Sequence, residues 1–317
     1  MPGLLDRRLI FVTGKGGVGK STVATALGVL GARHGKRTIV AELASQGAIR
    51  ATFESEGETF EEVRLSERLF TISIDPQRAM DEYLRVKTGA VGSALGSSRL
   101  FQAFAMATPG MRELLSIGKV WELAQFERRT QGADAYDLVI VDSPAAGHGV
   151  GILRTPRTFA EIARVGPIAR QGATIATTIA DREFTAVVAV ATAEEMPVNE
   201  TLWLRDALTA EGLALEAVLV NALYPGRFKP AERKALEKAR AQATSPLASA
   251  AIRAALSEQA RAKAQGEQFA RLADGLGLDL VSLPYLFAEQ IGPAELEQLA
   301  DALEDGLGTL VRATAAS

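Results

Sequence analysis

Cysteine is absent from the 317 residues of the chain, and histidine occurs only twice. Disulfides, thiolate metal sites and cysteine nucleophiles are therefore excluded, and any metal chemistry must rest on oxygen donors. Long hydrophobic runs are missing too, because charge, glycine or proline interrupts every apolar segment well short of the ~18 residues of a membrane-spanning helix. The opening MPGLLDRRLIFVTG leads from a short apolar run into glycines instead of a small-residue cleavage site, and reads as a first strand. No integral membrane segment is expected, and the expected location is cytoplasmic. Nor is there a large excess of one charge: the formal net charge is -3, and without a basic patch no nucleic-acid partner is expected. What the chain does have is 47% hydrophobic and 23% charged residues, enough to bury a substantial core.

Short β-branched runs recur at 8–13, 37–42, 69–74, 137–142, 185–192, 215–221 and 278–283. They are nearly continuous in apolar residues, as strands covered on both faces require. Helical stretches such as 20–34 and 198–210 separate most of them. The pattern predicts an α/β fold, a mainly parallel sheet wrapped by helices, in a single domain over 1–317. Three connections exceed a simple crossover. The first, 76–132, is broken at Gly89, Gly92, Gly96 and the Pro109-Gly110 pair; the second, 151–180, is punctuated by Pro156 and Pro167; the third, 226–275, is rich in Ala, Lys, Arg, Glu and Gln. Together they predict a discontinuous helical subdomain at one end of the sheet. The closing RATAAS is expected to fray.

Residues 14–22 read GKGGVGKST, a phosphate-loop pattern placed directly between a strand and a helix. The backbone of Gly14, Lys15, Gly16, Gly17, Val18, Gly19, Lys20, Ser21 and Thr22 would turn its N–H groups around the phosphates of ATP, aided by the positive end of the helix dipole. Lys20 would neutralise the β and γ phosphates, and the Ser21 hydroxyl would ligate Mg2+. Gly14, Gly16 and Gly19 also spell a dinucleotide fingerprint, and Glu42 ends the second strand, where an acidic residue would hold a ribose. The Lys20-Ser21 pair favours a triphosphate with Mg2+. So does Asp142, which the apolar run 138–141 delivers to the sheet's carboxyl edge.

With Lys15 inside KGGVGK, the loop resembles the deviant phosphate loop of ArsA-type ATPases. That group includes the arsenite-pump ATPase and the Get-type factor that targets tail-anchored proteins, with MinD and ParA as more distant relatives. The resemblance covers most of the chain, through SIDPQRAMDEYL at 73, PGMRELLSIGKVWEL at 109, DSPAAGH at 142, VLVNALYP at 218 and LPYLFAEQIGP at 283. It implies a P-loop ATPase that binds ATP or ADP with Mg2+ and closes as a homodimer, or as a heterodimer with a related ATPase, around a partner or cargo such as a protein client. By the same resemblance, Lys15 reaches the partner's phosphates across the dimer, and Asp142 holds Mg2+ through water beside Ser21. Asn221 matches the adenine-reading asparagine, while Pro284, Tyr285 and Leu286 match the loop that covers the adenine. DSPAAGH matches the second switch, with Asp142, Gly147 and His148 transferring.

The first switch departs from the family pattern. VAELAS at 40 puts Glu42 where the family has an aspartate that positions the attacking water. Catalytic roles are thus expected for Lys15, Lys20, Glu42 and Asp142, with Glu42 orienting water, contacting Mg2+ or only supporting its neighbours. Arsenite export in this family depends on thiolates, and this chain has none. It also lacks the Cys-x-x-Cys pairs that join targeting factors through zinc, so a dimer here would be held by nucleotide and packing. The alternative is a weakly hydrolysing or non-hydrolysing nucleotide-binding structural subunit of a homo- or hetero-dimer. The apolar stripe at 100–123 reads as core packing before it reads as a client groove.

Overall fold

The structure, a computed structural model, describes residues 3–43, 47–96, 107–130, 132–163, 166–278 and 280–316. Leu100, Phe101 and Phe104 of the apolar stripe and Ala44 and Ser45 of the first switch lie outside the described residues.

One sheet holds the strands β1 (Leu9–Thr13), β2 (Thr38–Glu42), β3 (Val63–Arg64), β4 (Leu69–Ser73), β5 (Leu138–Asp142), β6 (Thr185–Thr192), β7 (Leu215–Leu223) and β8 (Leu280–Pro284). Their order is β3-β4-β2-β5-β1-β6-β7-β8. Every pairing is parallel except that of β3, which runs antiparallel along β4. The predicted runs all became strands. β3 was not foreseen, because a two-residue edge strand is too short to leave a periodic signal.

The continuous apolar character of the strands follows from burial on both faces. In β1, Leu9 and Phe11 enter one core while Ile10 and Val12 enter the other. The second core is covered by α1 (Lys20–Arg33) and α10 (Pro293–Ala316), which pack on each other, and by Ile49 of the short α2 (Ala48–Thr52). The first core is covered by α4 (Met111–Leu123), α5 (Ala146–Ala163), α6 (Pro167–Ala180), α7 (Glu195–Ala210) and the end of α9 (Pro246–Leu276).

Among the described residues, the three long connections are mostly helical. Those over 76–132 and 151–180 build one layer, in which α3 (Pro76–Gly96) packs on α4 and α4 packs on both α5 and α6. The connection at 226–275 forms α8 (Pro230–Gln242) and α9, which lie chiefly on one another, on α7 and on β7. Pro156 does not break its helix but sits inside α5. The last helix, α10, runs through Arg312 to Ala316.

Candidate nucleotide site

The strand order places β1 between β5 and β6, so the chain crosses over to opposite sides on leaving the centre of the sheet. Such a switch point opens a crevice at the carboxyl ends of the strands. There the structure gathers the predicted residues: the loop follows β1, Glu42 ends β2, Asp142 ends β5, Asn221 lies in β7 and Pro284 ends β8. Glu42 and Asp142 are register partners on neighbouring strands, as are Val12 and Asp142.

The loop depends on its glycines at two close approaches. Gly14 has φ 141°, and a Cβ there would stand 2.1 Å from the carbonyl oxygen of Val190 in β6. Gly19 has φ 88°, and a Cβ there would stand 2.4 Å from Asn221 Nδ2. The loop is thus pressed against β6 and β7, and Asn221 Nδ2 secures it by donating to the Val18 carbonyl at 2.9 Å. Gly19 also opens α1 with no side-chain cap, which leaves the helix start to the backbone and to any anion it meets.

Lys20 Nζ folds back and donates to the Lys15 carbonyl at 3.0 Å. Burial lowers its pKa, against the raising influence of the Asp142 and Glu200 carboxylates. The Ser21 hydroxyl donates to Asp142 Oδ2 at 2.5 Å. Burial pushes the Asp142 carboxyl up to about 6; the Ser21 hydrogen bond and the Lys20 charge oppose that, and Glu42 adds to it. Ser21 and Asp142 together form a pair of hard oxygen donors beneath the loop, which suits Mg2+, an ion that takes few protein ligands and completes its shell with phosphate and water. Among the described residues no cluster of three or more His, Asp or Glu competes as a metal site.

Glu42 is fully buried. Its carboxylate accepts from Gly47 N at 3.2 Å, Ile49 N at 3.1 Å and the Ser73 hydroxyl at 2.7 Å. It is therefore occupied in fastening the segment after β2 to β4. Lys15 is paired within its own chain, its Nζ 3.2 Å from Glu200 Oε2 on α7. His148 and Gly147 are exposed at the start of α5.

At the outer end, β7 leaves regular geometry just past Asn221, where Ala222 takes φ 59°. Gln265 of α9 clamps this turn, accepting from Tyr224 N at 2.8 Å and donating to the Ala222 carbonyl at 3.0 Å. Tyr285 stacks on Tyr224 with ring centroids 4.4 Å apart and meets Phe287 edge-on at 4.9 Å. Its N–H donates to the Leu223 carbonyl, tying the loop after β8 to the end of β7. Leu286 packs against the core that holds α1 and α10. Glu200, Ser73 and Gln265 were not anticipated from the sequence. Each acts through a partner far along the chain, for which a linear pattern carries no sign.

No helix among the described residues is long and apolar enough to cross a membrane. Over residues 7–171 and 162–249 the chain matches the family described as anion-transporting ATPase. It is 28% identical over 230 residues to ATPase BagA of Mycobacterium tuberculosis, covering 70% of this chain and 67% of that one. With the arsenical pump-driving ATPase of Escherichia coli it shares 27% identity over 238 residues, 68% of this chain but 39% of that protein. With the ATPase get3 of Botryotinia fuckeliana it shares 26% over 166 residues, 52% and 47% of the two chains. A phosphate loop at the switch point of a parallel sheet, set above a serine–aspartate pair, is joined by a family match over most of the chain: the protein belongs to the anion-transporting ATPase family and is an ATP-hydrolysing enzyme of the ArsA/Get type.

Proposed function

We propose that ATP is bound and hydrolysed at the loop 14–22, and that nucleotide binding and loss close and reopen a dimer around a partner. The observation that carries the proposal is the Ser21–Asp142 pair, 2.5 Å apart beneath a loop in which Gly14 and Gly19 leave no room for a Cβ. In this scheme the loop amides and the start of α1 hold the phosphates, and Lys20 leaves the Lys15 carbonyl to neutralise the β and γ groups. Ser21 and Asp142 would hold Mg2+, which neutralises phosphate charge when bound. Lys15 would serve the phosphates of a second subunit, as an arginine finger does. Asn221 braces the loop through Val18 and offers its remaining amide valences to the base, beside the covering segment Pro284, Tyr285 and Leu286.

With three donors already on its carboxylate, Glu42 acts on the shape of the first switch, and slow basal turnover is the consequence. A client would meet the helical layer, where an apolar cavity of 180 Å³ opens between α3, α4 and α6, lined in part by Met80, Tyr83, Met111, Leu115 and Ile175. Arsenite, suggested by the name of the Escherichia coli relative, is not proposed as a ligand, since no thiol is present to bind it. The cytoplasm is the proposed compartment.

Turnover of Mg-ATP, measured against a Lys20→Ala control and with calorimetry of ATP and ADP, tests the assignment. No affinity for either nucleotide in a folded sample would end it. The saturated carboxylate of Glu42 also favours a second scheme, a nucleotide-binding structural subunit. A clear affinity with no rate above the Lys20→Ala control, at any protein concentration, would decide for that scheme.

A further inference from the structure

Building on the assignment of the loop as the nucleotide site, we propose that Glu200 is an internal counter-anion of that loop, a latch that keeps Lys15 within its own subunit. Lys15 stands between glycines, with Gly14 before it and Gly16 and Gly17 after it, so no neighbouring side chain in the loop steers it. The ion pair recorded for it is with Glu200, at 3.2 Å. The charge of the same carboxylate also reaches Lys20. Glu200 therefore acts on both ammonium groups of the loop, by direct contact with Lys15 and by its charge on Lys20.

The two partners differ in freedom. Glu200 projects from α7, whose Val198, Thr201, Leu204 and Leu208 are buried, so it is a fixed post. Lys15 sits on a glycine loop with a long side chain and is the partner that moves. To serve a second subunit, its ammonium must first leave Glu200. On α7, Met196 and Trp203 lie on the same face as Glu200, at helical spacings of four and three, and are 63% and 52% exposed. The latch is thus set into a surface that an arriving subunit can reach.

The strength of the pair suits a latch. Both side chains are about one-third exposed, at 32% and 27%, and ion pairs of this kind bias an equilibrium by a factor of about five or less. A triphosphate with its magnesium outcompetes one carboxylate, so the contact delays Lys15 without disabling it. In the nucleotide-free chain it does two things: it occupies the second lysine, and it sets a negative charge beside the cations that the phosphates need.

The test is a cycle of wild type, Glu200→Gln, Lys15→Ala and the double variant, each checked for an unchanged melting temperature. The readouts are Mg-ATP affinity, turnover at saturating Mg-ATP and ATP-driven self-association. Glu200→Gln should tighten Mg-ATP about two- to five-fold, in either background, by removing a negative charge that competes for Lys20 and the loop. It should also raise turnover and self-association by about the same factor, but only where Lys15 is present, so the gain is lost in the double variant. Turnover that falls with Glu200→Gln as it does with Lys15→Ala would overturn the latch and make Glu200 a required support. Equal gains in turnover and self-association with and without Lys15, or no change in either, would overturn it as well. Absence of Mg-ATP binding by the wild type would instead remove the nucleotide site itself.

Discussion

A Cβ at Gly14 would meet a backbone carbonyl at 2.1 Å, with φ at 141°, and backbone cannot turn aside as a side-chain tip does. Gly14→Ala must therefore lift the loop from β6 or splay β1 from its neighbour. The expected cost is about 1–3 kcal/mol in denaturant unfolding, as for other overpacked sites. Binding of Mg-ATP should be lost at concentrations that saturate the wild type. Glu42 poses the opposite case, a side chain whose charge is consumed by structure. Glu42→Gln keeps the shape but turns one carboxylate oxygen into an amide N–H2, which faces the Ile49 N–H in place of Oε1 or the Gly47 N–H and Ser73 hydroxyl in place of Oε2. We expect a loss of about 1–3 kcal/mol in stability. Unchanged stability with abolished turnover would show instead that Glu42 acts on the attacking water.

Between elements, the helical layer is pinned to the sheet by a buried ionic network. The side chain of Arg128, just beyond α4, is 1% exposed and bonds Glu62 at 2.6 Å and Glu122 at 2.8 Å. Lys119 meets Glu82 at 2.9 Å and Glu122 at 3.1 Å, and the Tyr136 hydroxyl donates to Glu62 at 2.7 Å. Burial alone would raise the Glu62 and Glu122 carboxyls, but the hydrogen bonds and charge of Arg128, with help from Lys119, hold both below the ordinary range. A carboxyl depressed on folding stabilises fully above its unfolded pKa of about 4.3, and that stability drains away as pH falls through the lower folded value. Arg128→Met leaves the buried Glu122 and the half-buried Glu62 carboxylates short of a partner and should cost about 3 kcal/mol near neutral pH. Followed by urea unfolding, the gap between wild type and variant should narrow as pH drops from about 5 toward 3. A gap independent of pH would assign the loss to packing.

The link from this network to Glu62 was not legible in the sequence, because Arg128 and Glu62 are 66 positions apart and each alone resembles a solvated surface charge. The same holds for Lys15 and Glu200, 185 positions apart. The strands and the phosphate loop were legible because their signals are local. Burial on both faces leaves an unbroken apolar run, and a backbone that wraps phosphate needs glycine at fixed spacing. Glu42 and Asp142 could be placed at strand ends, but not their partners, so Glu42 reads as a catalytic candidate in sequence and as a fully engaged anchor in three dimensions.

For the molecule as a whole, the nucleotide is expected to act as a keystone. Its proposed contacts come from the loop after β1, from Asp142 on β5, from Asn221 on β7 and from the segment after β8, so one ligand bridges both halves of the sheet around the switch point. A ligand that binds only the folded state at a hundred times its Kd adds about 2.7 kcal/mol. For a chain of this size that raises the melting temperature by about 4 °C. The rise should appear as a shift of one cooperative transition, because the bridged strands share their cores with every layer. Magnesium should be needed for most of it. With EDTA the triphosphate meets Asp142 in the crevice without a cation between them, so ATP alone should shift melting far less, and Lys20→Ala should remove the shift. An equal rise with and without magnesium would mean that the phosphates sit away from the Ser21–Asp142 pair. The loop would then hold the nucleotide without the geometry that hydrolysis there requires.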